Sequence, residues 1–326
     1  MSLSSATPSP SEHSADPEAV LKAHGRSFHL AGRLLPAPVR IRAARLYAFC
    51  RHVDDLADTS DDPQRARAQL RELREDLARQ EPRSACSTDF LALAAQADLP
   101  IAPALTLIDT VSREIEGTRV AGQGDLIGYA YGVAGTVGLM MCSVLGTSEP
   151  GARAYAVDLG IAMQLTNIAR DVGEDAAIGR VYLPATWLDG LSCAQILRPD
   201  AAQGDVLRQA TARCLALADR YYASGLGGLK FLPTRSRYAI GVAAHVYRAI
   251  GDRVADAGYR SWDRRAVVPV RSRLRIAAAS LLREMMSGER AGARPGKDLT
   301  RTRHRIARAA SHPDGSSCER QRVSIS

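Results

Sequence analysis

The chain has 326 residues, enough for one large helical domain or two ordinary ones, and its 46% hydrophobic content allows a sizeable core. Aromatic residues make up only 5% and Ala, Leu and Arg dominate, which disfavours a sandwich or barrel, while six cysteines without CxxC spacing exclude a zinc ribbon or a disulfide framework. Much of the net charge of +8 lies in residues 289–326, where nine Lys and Arg face four Asp and Glu, so the rest of the chain is near balance.

Residues 1–15 are Ser- and Pro-rich, carry no apolar run of a secretory signal, and read as a disordered lead. Asp16-Pro17-Glu18 supplies an N-cap, an N1 proline and an acidic first turn for a helix toward His24. Leu35-Pro36-Ala37-Pro38 is a connector, and apolar spacing from Val39 predicts a helix to about Ala57. Asp62-Pro63 starts an Arg/Glu-rich helix, followed by weaker ones near 86–97 and 103–117.

The stretch from Leu126 to Ser148 has no charged residue and is long enough to span a bilayer, which takes roughly 20 apolar residues. Its glycines (Gly128, Gly132, Gly135, Gly138, Gly146) and polar groups fit the buried central helix of a bundle better, with a backbone or ligand passing close by. A long helix is expected from Gly151 to Glu174, a loop around Pro184, and helices near 204–224, 234–257 and 270–287. No alternating Val/Ile segment supports a sheet, so the expected fold is one all-α domain over residues 16–288, with 289–326 a basic, disordered tail.

Two motifs carry chemistry. In Arg51-His52-Val53-Asp54-Asp55-Leu56-Ala57-Asp58, the carboxylates of Asp54 and Asp58 stand at i and i+4 on one helix face, where like charges repel unless a cation or open solvent relieves them. In the stretch 164–175, Asn167, Asp171 and Asp175 form an i, i+4, i+8 stripe with Gln164 one turn earlier. Both are oxygen-only, as Mg²⁺ prefers when it bridges carboxylates to substrate phosphates. Arg51, Arg170 and Arg180 lie in or near these walls and suit a diphosphate. An alternative for each motif is a solvated acidic helix face.

The segments HGRSFHLAGRLLP (24–36), LYAFCRHVDDLAD (46–58), YAYGVAGTVGLMM (129–141), QLTNIARDVGED (164–175) and GRVYLP (179–184) resemble, in order and spacing, the squalene/phytoene synthase family. The resemblance covers roughly residues 20–285. It implies an isoprenoid-synthase helical bundle with a central cavity and dependence on Mg²⁺, with Mn²⁺ as the other candidate ion. By motif, Asp54, Asp58, Asn167, Asp171 and Asp175 are implied metal ligands, and Gly25, Arg26, Ser27 and Arg51 contact diphosphate. Tyr47, Gln164, Arg170, Arg180 and Tyr182 match positions near the diphosphates or reacting carbons. Where the family commonly has Asp, this chain has Glu114, whose role stays open.

The implied reaction joins two isoprenoid diphosphates head to head through a cyclopropylcarbinyl diphosphate, in two ionisations. Gly32, one turn after Phe28, and Ala44 on the next helix are small and would leave room for twenty-carbon chains, favouring two geranylgeranyl diphosphates and phytoene over the squalene or dehydrosqualene made from farnesyl diphosphate. The alternative reading of Gly32 is a helix end near Arg33-Leu34-Leu35-Pro36. NADPH is not expected, since no GxGxxG follows a strand. An inactive scaffold subunit of a lipid pathway is the non-enzymatic alternative. Without a helix-turn-helix, zinc or stacking signature no nucleic-acid partner is expected; the basic tail suggests peripheral contact of a bacterial cytoplasmic protein with a membrane. Oligomeric state is open.

Overall fold

A computed structural model describes residues 17–19, 26–58, 62–115, 117, 120–147 and 149–286; among them every regular element is helical. Helices α1 (Arg26–Gly32), α2 (Ala37–Asp58), α3 (Pro63–Arg79), α4 (Ala85–Ala97) and α5 (Ile101–Glu114) build the first half. Next come α6 (Gln123–Ala130), a π turn (Tyr131–Gly135) and α7 (Thr136–Val144), which run on as one rod. The second half holds α8 (Pro150–Arg170), α9 (Val172–Ala177), α10 (Ala185–Leu188), α11 (Cys193–Leu197), α12 (Ala201–Leu226), α13 (Thr234–Asp256) and α14 (Val270–Met286). Residues 17–19 are helical, as the Asp16-Pro17 signal predicts; the expected lead, the rest of that helix and the tail lie outside the described residues.

Helix starts follow local chemistry. Asp62 caps α3 by accepting from the N–H groups of Gln64 (2.8 Å) and Arg65 (3.3 Å), with Pro63 at N1. α12 begins at residue 201 rather than near 204, because Asp200 and Gln203 form a capping box that the apolar periodicity does not reveal.

Two apolar clusters organise the bundle. One joins α2–α5 to α7 through Leu46, Phe49, Leu70, Phe90, Leu107 and Met140. The other centres on α8 and α12, which pack on each other more extensively than any other pair, through Ile161, Leu165, Leu207, Tyr221 and Tyr222. The rod α6–π–α7 lies between the two halves as the expected central helix, although a helix of this length and apolarity could also cross a membrane. It meets α8 at backbone distance. A Cβ on Gly138 would stand 2.3 Å from the Ala156 carbonyl oxygen, and one on Gly160 would stand 2.2 Å from that of Ala134. Gly128 faces open space and Gly146 (φ +78°) ends the rod in a left-handed turn, so these two serve no such approach.

A cavity of about 350 Å³ runs between the halves. On α2 its lining extends from Arg40 to Asp54, and on α8 from Ala152 to Asn167, which is roughly 20 Å of helix at 1.5 Å per residue. Gly32 both ends α1 and lines this cavity, so its two readings coincide. Ala44 does not line it. That residue is fully buried, and Ala43 takes the expected place, one position earlier on the helix.

Candidate active site

α2 carries the first acidic wall. It is continuous through Asp58, so Asp54 and Asp58 share a face as their spacing predicts. Asp54 lies at the mouth of the cavity with Tyr47, whose phenol is pushed up to about 12 by burial and then by Tyr247. Asp58 is more exposed and accepts from Arg180 at 2.6 Å. Arg51, expected on a diphosphate, holds Asp55 at 2.5 Å, and its Nε is buried without a hydrogen-bond partner.

The second wall is not the continuous helix expected from 151 to 174. α8 stops at Arg170, Asp171 (φ −101°, ψ 15°) breaks the rod, and α9 restarts at Val172. Hydrogen bonds still cross the break. Asp171 N–H donates to the Asn167 carbonyl (2.9 Å) and Asp175 N–H to that of Asp171 (2.8 Å), so the three predicted ligands stay on successive turns. The cause is tertiary. The segment 261–265 docks on the break, with Gly173 N–H donating to the Ser261 carbonyl at 3.4 Å. A Cβ at Gly173 would meet the Trp262 carbonyl oxygen at 2.6 Å, so only glycine admits this contact.

The docked segment delivers Arg265, 3.1 Å from Asp171 and 3.2 Å from Glu174. Arg170 also grips Asp171, Nε to Oδ1 at 2.7 Å. Sequence reading missed Arg265, because no local pattern ties residue 265 to the motif at 171. Nearer the cavity, the Asn167 amide donates to Gln164 Oε1 at 3.3 Å, while Asn167 Oδ1 is buried with no partner; both residues line the mouth.

Glu114, at the end of α5, stands between the walls. Tyr129 donates to its carboxylate at 3.3 Å, Tyr182 donates to the same group, and Arg180 lies 3.7 Å away. The rings of Tyr129 and Tyr182 stack with centroids 4.8 Å apart. Tyr182 is thereby drawn to Glu114 and does not line the large cavity. The sequence signal for Tyr129 was its place in the YAYGVAGTVG segment. Tyr247 closes the mouth from α13, its ring 5.0 Å from that of Phe28. Gly25 lies outside the described residues, as do the side chains of Arg26 and Ser27, whose backbone opens α1.

The acids here are short of positive charge. Burial, then Asp58, raises Asp54 to about 7. Burial, then Asp171, raises Asp175 to about 7. Burial and Asp58 raise Glu114 to about 7 against the pull of Arg180. Among the described residues no three Asp, Glu, His or Cys side chains close on one metal-sized point. The donor set nonetheless suits a hard divalent cation that completes its shell with phosphate oxygens and water. It is oxygen-only, it carries surplus negative charge, and the Asn167 oxygen awaits a partner.

The squalene/phytoene synthase profile matches residues 21–273. The chain belongs to that family. A phytoene synthase of Cereibacter sphaeroides is 38% identical over 274 residues, 80% of this chain and 77% of that protein. A 15-cis-phytoene synthase of Enterobacter agglomerans is 35% identical over 268 residues, 78% of this chain and 90% of that protein. Among solved structures, a dehydrosqualene synthase in complex with ligand superposes with a TM-score of 0.74 at 27% identity, covering 84% of this chain and 96% of that one. The all-α isoprenoid-synthase fold expected from the motifs is therefore the fold observed, and this family member is an enzyme of the prenyltransferase type.

Proposed function

We infer that the protein condenses two geranylgeranyl diphosphates head to head, through a cyclopropylcarbinyl diphosphate, to phytoene. The observation that carries this reading is a long apolar cavity, with Gly32 and Ala43 in its lining, that opens between two oxygen-rich walls. The phytoene synthases at 35–38% identity support the same product.

Bound Mg²⁺, or Mn²⁺ in its place, held by Asp54 and Asp58 on one side and by Asn167, Asp171 and Asp175 on the other, would neutralise the departing diphosphate. The remaining roles fall to the chain. Arg51, Arg170 and Arg180 are placed to bind phosphate oxygens, exchanging the carboxylates they hold in this structure. Phe28, Tyr47 and Tyr247 crowd the mouth, and the aliphatic walls below keep water from the cation formed on ionisation. In an apolar cavity the cation left after the second ionisation and rearrangement ends by losing a proton, which leaves the triene centre of phytoene. We place the reaction in the cytoplasm, with the oily product passing to a membrane by peripheral contact.

The fold neighbour that makes dehydrosqualene motivates the competing reading, two farnesyl diphosphates. Purified protein with Mg²⁺ and each substrate, without and with NADPH, separates them. The expected result is a forty-carbon product formed without NADPH; a thirty-carbon product alone overturns the assignment. Loss of turnover in EDTA, restored by Mg²⁺, checks the metal.

A further inference from the structure

A second concavity of about 360 Å³ shares no lining residue with the large cavity. It is formed by the last turn of α13 and the segment that leads to α14, and four arginines line it: Arg253, Arg260, Arg264 and Arg265. Two of them are committed. Arg260 pairs with Asp263 at 2.6 Å, the only acid in the lining among the described residues, and Arg265 is spent on Asp171 and Glu174. Arg253 and Arg264 make no ion pair among the described residues.

A second observation points to a ligand. Ser261, which also lines this hollow, is 5% exposed, and its Oγ is buried with no hydrogen-bond partner. A buried hydroxyl without a partner costs stability, and one on a residue that lines a hollow together with two arginines free of ion pairs is what an incoming oxyanion would satisfy. The α13 C-terminus offers the arginines only a weak partial negative charge, not a full counter-ion.

We propose that Arg253, Arg264 and the Ser261 hydroxyl form a phosphate-binding site, separate from the acid-walled mouth, that takes the phosphate or diphosphate group of a ligand. The group fits by charge, by the hydrogen bond Ser261 can donate, and by the forked donors of the two arginines. Its source is either free diphosphate in solution or the headgroup of an anionic phospholipid. Exposed Val267 on the rim and Val270 just beyond it would meet the acyl region in the second case.

The test uses the full chain in EDTA, without isoprenoid, so that the metal-dependent mouth contributes little. Inorganic diphosphate binding is followed by calorimetry. Retention on phosphatidylcholine vesicles with and without phosphatidylglycerol is followed by sedimentation. Three variants are compared: Arg253→Ala/Arg264→Ala, Ser261→Ala, and Arg71→Ala/Arg79→Ala, which removes equal charge from distant α3. A drop in diphosphate affinity of roughly tenfold or more in the first variant and a smaller drop in the second, with none in the third, supports a soluble ligand. The same pattern confined to phosphatidylglycerol vesicles supports a lipid headgroup. Equal losses in the first and third variants, or no loss in the first, overturn the site. Ser261→Ala should leave the melting temperature of the free protein unchanged or raised, because it removes an unpaired buried hydroxyl. A lower melting temperature with unchanged anion binding also overturns the proposal.

Discussion

The two acidic walls look alike as sequence and differ as structure. The first is the plain end of one helix: Asp54 and Asp58 follow from α2 alone, and among the described residues only Arg180 reaches across to pair with them from the other wall. The second is assembled from three segments, because Asp171 sits at a helix break held by Gly173 on Trp262 and gripped by Arg170 and Arg265. At the first wall Asp54 is thus buried against Asp58 without a counter-charge of its own before any ligand arrives. At the second, Asp171 is already part of the protein's own ion-pair network, while Asp175 shares the situation of Asp54. Asp54 and Asp171 therefore have opposite effects on stability.

The largest expected effect treats the walls as equals. Asp54→Ala and Asp171→Ala should each lower product formation by roughly 10²–10³-fold, measured as product per enzyme under saturating substrate and Mg²⁺. Unchanged turnover in either would remove that residue from the site.

Stability then separates them. Asp171→Asn should cost roughly 1.5–3 kcal/mol in urea unfolding, since it leaves Arg170 and Arg265 without their shared partner. Asp54→Asn should leave the metal-free protein as stable or more so, because a buried carboxyl repelled by Asp58 is relieved. Equal losses in both variants would show that Asp54 and Asp171 are compensated alike. Gly173→Ala probes the same break from the backbone and should cost about 1–3 kcal/mol by forcing Trp262 away.

A pH series sharpens the comparison. Asp54, Glu114 and Asp175 titrate near 7 in the folded protein but at ordinary carboxyl values when unfolded, so the fold binds more protons than the open chain between about 4 and 7. Metal-free stability should therefore fall as pH rises through that window and level off above it. The thermal shift produced by Mg²⁺ with diphosphate should grow over the same range, since those protons must leave for the cation to bind. A melting temperature in EDTA that rises from pH 5 to pH 7 would contradict this.

The smallest effect concerns the cavity. A Cβ at Gly32 meets nothing nearer than Arg40 Cγ at 4.0 Å, so Gly32→Leu should fold normally while shifting the product ratio from forty toward thirty carbons. An unchanged ratio would move chain-length control to another part of the lining.

What could be read from the sequence follows the same divide. Helical spacing and caps are local, so α2, α3 and the first wall were visible in the residues themselves. Glu114, Tyr129 and Arg265 were not, because each meets its partners only when distant segments pack together: α5 with the 180–182 turn, and the segment after α13 with the helix break. Ala43 was missed for Ala44 because one residue of helix turns a side chain by roughly 100°, finer than apolar spacing resolves.

That angle bears on the π turn at 131–135 as well. A π turn accommodates one more residue than the α-helix would need, so the part of the rod before it is rotated relative to the part after it. Here that rotation lets Tyr129 reach Glu114 while Val133, Val137 and Met141 line the oily cavity. A single-residue deletion anywhere in 131–135 would keep an apolar helix yet turn one set of side chains away from its target. In this segment spacing is itself inherited information, and any recombination or redesign that treats the rod as an interchangeable apolar helix would lose it without changing a single conspicuous residue.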